Sequence, residues 1–113
     1  MEKYLSRIEF KKRGFMRTNG MCCVPGCKEH AVDAHHIMDR KLWNDGGYYL
    51  SNCAPVYEKH HLDCEQGVYT PAQVTVFCGM DPLNARKPDK LKQLTDEEYA
   101  ELFSLGLINK WDE

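Results

Sequence analysis

Apolar positions recur at helical spacing near the start of the chain. Tyr4, Leu5 and Ile8 stand together, while Lys3, Arg7, Lys11, Lys12 and Arg13 fall largely on other faces. This pattern predicts an amphipathic helix within residues 2–14, with Gly14 as its stop. The next stretch, TNGMCCVPGCKEH (18–30), is rich in turn residues and cysteine. AVDAHHIM (31–38) alternates as a strand does, and NDGG (44–47) is a turn. YYLSNCAPV (48–56) reads as the antiparallel return strand, and YEKHHLDCEQG (57–67) as a short helix ended by Gly67.

Two further helices announce their starts. Thr70-Pro71-Ala72-Gln73 is a capping box with proline at the first helical position, and Gly79 closes that segment. Thr95-Asp96-Glu97-Glu98 repeats the device, with Leu102 and Phe103 on a buried face until Gly106. Between them, residues 80–94 hold Pro82 and Pro88 and read as an extended loop. The expected fold is α+β: a hairpin-plus-helix core over 22–67, a basic N-terminal helix and a helical extension over 70–113, all in one domain.

Composition narrows the class. A chain of 113 residues, 42% hydrophobic and 28% charged, suits a single globular domain with one modest core. No apolar run approaches the roughly 20 residues that span a bilayer, and MEKYLSRIEFKKRG has no apolar signal-peptide segment. The expectation is a cytoplasmic, reducing location without membrane contact, where six cysteines bind metal or stay free rather than form disulfides. The net charge of −2 argues against a globally basic nucleic-acid coat but leaves room for a local basic face.

The cysteine and histidine spacing then points to metal. Cys22 or Cys23 with Cys27, around the turn Pro25-Gly26, has the form of a zinc knuckle. His60 and Cys64 lie four residues apart on the predicted helix, so they share a face and complete a set of three sulfurs and one nitrogen. His61 and Glu65 form a second pair, rotated about 100° from the first. In a strand, the adjacent His35 and His36 face opposite ways: one toward that helix and His61, the other free to act as a base with an ordinary pKa of about 6.5.

Together, CCVPGC, DAHHI, DGGYYLSN and HHLDCE resemble the HNH endonuclease family, whose ββα-metal motif binds one divalent ion. The resemblance covers Cys22 to Glu65, about two fifths of the chain. It implies a treble-clef-like core, favours Cys22 over Cys23 as the partner of Cys27, and places the family's His, Asn and His on His36, Asn52 and His61. By that correspondence His36 is the general base, and Asn52 braces the loop that orients it. His35 and His61, with Glu65, hold a catalytic Mg2+ or Mn2+. The chain departs from the pattern at Tyr57, where zinc-containing members commonly have a cysteine. Cys22, Cys27, His60 and Cys64 are then the expected Zn2+ ligands, with Cys23 and Cys53 as rivals for the fourth position.

The family's chemistry implies phosphodiester hydrolysis in duplex DNA, or in RNA, leaving 5′-phosphate and 3′-hydroxyl ends. Arg40, with Lys41 second, is the expected source of positive charge at the phosphate. Lys11, Lys12, Arg13 and Arg17 are expected as sequence-independent backbone contacts. Against this stands the bland reading of solvated charges, and a rival in which the domain is a non-catalytic HNH-like zinc module that binds nucleic acid or a protein. Tyr48 and Tyr49 are expected to pack the hairpin. Asp33 is either a hydrogen-bond partner of a histidine or an exposed strand residue.

Overall fold

A computed structural model describes residues 2–82 and 86–110. Helix α1 (Arg7–Arg17) is followed by strand β1 (Asp33–His36), strand β2 (Cys53–Val56), and helices α2 (Glu58–Glu65), α3 (Pro71–Phe77) and α4 (Asp96–Ser104). The two strands pair antiparallel, with His36 opposite Cys53 and Asp33 opposite Val56. The architecture is therefore α+β, with a two-stranded sheet at its centre. No helix among the described residues is long and apolar enough to cross a membrane.

Strand alternation sorts the hairpin's two faces. Ala34, His36 and Cys53 lie on one face, where Cys53 and Ala34 pack with Leu5 and Phe10 beneath α1. Asp33, His35, Ala54 and Val56 lie on the other, where Ala54 and Val56 join Cys22, Val24, Ile37, Cys64 and Val74 in a core shared with α2 and α3. A further core sits at the end of the hairpin, where Met38, Leu42, Trp43 and Tyr49 meet Leu91, Phe103 and Ile108.

The first helix is displaced from its expected place. It starts after Ser6, whose side chain accepts from Glu9 N, and it passes through Gly14 to Arg17. Residues before it form a strap instead: Leu5 N donates to Tyr48 O at 2.8 Å, and Glu2 binds Ser51 through both carboxylate oxygens. Gly14 is no stop. A Cβ there would lie 2.2 Å from Cys53 Sγ, so glycine is what lets α1 rest on β2. The helix ends at the left-handed pair Asn19 and Gly20, with Gly20 N donating to Phe15 O.

The return strand is also shorter than expected. Leu50–Asn52 form a 3-10 turn, and only Cys53–Val56 pair with β1. The reason is the Asn52 side chain, which takes the hydrogen bonds a continued ladder would have used. Met38 N donates to its Oδ1 at 2.7 Å, and its amide nitrogen donates to Met38 O and Gly47 O. Both capping boxes form as expected, at Thr70 and at Thr95. The 80–94 connection contains a 3-10 turn at Asp89–Leu91 that buries Leu91; within it, residues 83–85 lie outside the described residues.

Candidate functional site

The cysteine-rich segment folds into a knuckle closed by pairing of Met21 with His30. Cys27 N donates to Val24 O, Gly26 adopts a left-handed φ of 82°, and Cys23 N donates to Pro55 O, tying the knuckle to β2. Above it, α2 lowers His60 onto Cys22, with Sγ and Nδ1 3.4 Å apart. The donor atoms of Cys22, Cys27 and His60 all lie within 4.8 Å of one another, forming a group able to hold a metal ion. Tetrahedral zinc, with bonds of about 2.0 and 2.3 Å, sets an N···S edge of about 3.5 Å, so the Cys22–His60 separation fits zinc well.

The fourth position is less complete. Cys64 is buried one turn further along α2, but it lies outside the group of three. Burial first and the neighbouring Cys22 second push its thiol up to about 12. The two rivals are engaged elsewhere. Cys23 pairs its thiol with Cys78, which with burial raises its pKa. Cys53 lies on the opposite face of the hairpin, its thiol donating to Phe10 O.

A cleft of about 700 Å³ opens beside the hairpin and is reached from both of its faces. His35 and Asp33 enter from the α2 side. The His35 ring meets that of His61 edge-on at 5.1 Å, and Asp33 Oδ2 lies 3.1 Å from His61 Nδ1. Glu65 Oε1 lies 3.2 Å from the other ring nitrogen of His61. Asp33 is thus a partner of a histidine rather than an idle strand residue. The expected trio His35, His61 and Glu65 is brought to one wall of the cleft, yet its donor atoms do not converge as those of the knuckle do.

His36 enters from the α1 side. Its ring stacks on Phe10 with centroids 4.6 Å apart and meets the edge of Tyr48 at 4.9 Å. Nε2 is sealed from solvent and has no hydrogen-bond partner. Burial, followed by the repulsive Arg40 guanidinium, lowers its pKa to about 4, and burial together with His61 lowers that of His35 to about 4. Both rings are therefore neutral at physiological pH. Arg40 lines the same cleft, its guanidinium 5.7 Å over the Tyr48 ring.

The basic residues separate into groups. Lys11 and Lys41 line the cleft, and so does Arg7. Lys12 lies on a shallow apolar groove beside Ile8 and Phe15, and Arg13 pairs with Glu9 at 3.1 Å. Arg17 corrects the expectation of a phosphate contact. Its guanidinium turns inward, donating to Cys53 O and, at 3.0 Å, to Met80 Sδ, so its work is to join α1 to β2 and to the end of α3. Arg7 and Asn109 were missed by sequence reasoning. Arg7 belongs to the basic helix and was legible there as a cation, whereas a single asparagine near the end of the chain carried no signal. The chain matches no known protein family, curated protein or solved structure.

Proposed function

We propose that this chain is an HNH-type endonuclease that hydrolyses phosphodiester bonds in DNA. The succession of knuckle, hairpin and α2 supports this reading, since a ββα-metal, treble-clef-like core would need it. One observation carries the proposal: His35 and His36 project from opposite faces of β1 yet open onto a single cleft with His61 and Arg40. Binding alone needs no neutral imidazole beside a guanidinium. With Nε2 of His36 sealed, Nδ1 is the nitrogen that accepts a proton from the attacking water. Arg40 and Lys11 take the charge of the phosphate, and Asn52 holds the loop between His36 and Arg40 in place. As the water oxygen bonds to phosphorus the bond to the 3′ oxygen breaks, that oxygen takes a proton from solvent to become a hydroxyl, and the phosphate stays on the 5′ side.

His35 and His61, with Glu65, are the residues that would hold Mg2+ or Mn2+. Glu65 and water would supply the oxygen donors such ions prefer, and a cation held there would supply charge for the phosphate and the leaving oxygen. Zn2+ on Cys22, Cys27 and His60, with Cys64 as the expected fourth ligand, would have a structural role.

The test is nicking of circular duplex DNA with magnesium or manganese. His36→Ala is expected to lose on the order of 10²–10⁴-fold in rate while duplex binding persists. Cleavage at the wild-type rate would defeat the base assignment. A second reading draws on the spread donors: His61 is held between Asp33 and Glu65, which suits a zinc module that binds nucleic acid without cutting it. Wild-type protein that binds duplex but never nicks it, with either ion, would establish that alternative.

A further inference from the structure

Three residues, Ile37, Met38 and Asp39, join His36 to Arg40. Strand pairing ends at their start, where Ile37 N donates to Asn52 O. Beyond that point two asparagine side chains replace the ladder. Asn52 binds both backbone groups of Met38. Asn109, from the other end of the chain, accepts from Asp39 N at 2.7 Å and donates to Ile37 O at 3.1 Å. The two amides thus alternate along the segment and hold it from two sides.

We propose that Asn109 is a positioning residue of the cleft, holding the 37–39 segment so that His36 and Arg40 keep a fixed separation. This rests on the functional reading above. The C-terminal turn Ile108–Lys110 is built for such a task. Ile108 is fully buried against the Met38 and Trp43 core, which anchors the turn, and Asn109 and Lys110 line the cleft itself. Asp39 is exposed, so water would satisfy its amide nearly as well as Asn109 does. What water cannot do is set the segment's direction. Losing Asn109 should therefore cost modest stability, through the Ile37 carbonyl it leaves unpaired, and much geometry. A misplacement of about 1 Å can cost on the order of 10²-fold in rate.

The experiment uses the full chain with Asn109→Ala and Asn109→Asp. Asn109→Asp keeps the acceptor for Asp39 N but turns a carboxylate oxygen toward Ile37 O. Amide hydrogen exchange is followed across residues 37–41, and plasmid nicking gives kcat and KM. In Asn109→Ala, exchange at Asp39 should accelerate by about tenfold or more, with a melting temperature only modestly lowered by the unpaired Ile37 carbonyl. kcat should fall about 10- to 100-fold at similar KM, and Asn109→Asp should fall between. Wild-type exchange overturns the proposal, as does wild-type kcat in folded variant. Should Asn109→Ala not fold, Asn109→Asp decides by the same two readouts. If the wild type nicks nothing, the nuclease reading fails on its own, and exchange still decides whether Asn109 holds the segment.

Discussion

At Gly14, two opposing effects of one methyl group can be weighed. Alanine inside a helix is favoured over glycine by about 1 kcal/mol, so local propensity alone forecasts a stabilising Gly14→Ala. Packing reverses the sign, because the added carbon would meet Cys53 Sγ at 2.2 Å and the sulfur is fully buried. Overpacking of this kind costs about 1–3 kcal/mol. Gly14→Ala is therefore expected to destabilise in chemical denaturation, and Cys53→Ala in the same chain should recover most of the loss. Additive effects in that double-mutant cycle would show that the two sites do not touch. Neither partner is legible from sequence. Gly14 reads as a helix stop and Cys53 as a rival for the fourth zinc position until α1 is laid across β2.

Helix α2 cannot stand by itself. It has eight residues with only Cys64 buried, and isolated helices shorter than about 12 residues are marginal in water. The knuckle supplies what the helix lacks, since His60 reaches Cys22 and a structural zinc contributes about 10–16 kcal/mol in small zinc-binding peptides. Metal analysis should find close to one zinc per chain. Cys27→Ser should lower that content and the helical circular dichroism together, as should a strong chelator added to the wild type. A fully helical, zinc-free wild type would remove the metal from the fold. The spacing of Cys22, Cys27 and His60 was legible because a knuckle and a helical turn are short-range devices. The place of Cys64 was not, since it depends on how α2 tilts over the knuckle.

At the scale of the whole molecule, the described residues form three small cores around a hairpin of two four-residue strands. The core at the hairpin's end ties the extension to the cleft, because Ile108 packs in it while the next residue reaches Asp39. Ile108→Ala should cost about 2–5 kcal/mol, the range for emptying a buried aliphatic site. A cost within a few tenths of a kcal/mol in thermal or denaturant unfolding would mean that the extension is not part of the cooperative unit. The sequence marked two helices from the capping boxes at Thr70 and Thr95, with a loop over 80–94 between them, and left residues 80–113 without a task. Their link to the cleft spans 70 residues between Asn109 and Asp39, and no local pattern announces such a bond.

From the sequence alone came the starts of α3 and α4, the left-handed glycine turns, the knuckle spacing and the opposed directions of His35 and His36. Each rests on hydrogen bonds or side-chain directions within about four residues, where backbone geometry leaves few choices. The tertiary structure decided that α1 passes over Gly14, that Arg17 turns inward, that Asp33 and Glu65 flank His61, and that Asn109 meets the 37–39 segment. Those contacts follow from how whole faces pack, and a face acquires its partner only when the chain has closed around it.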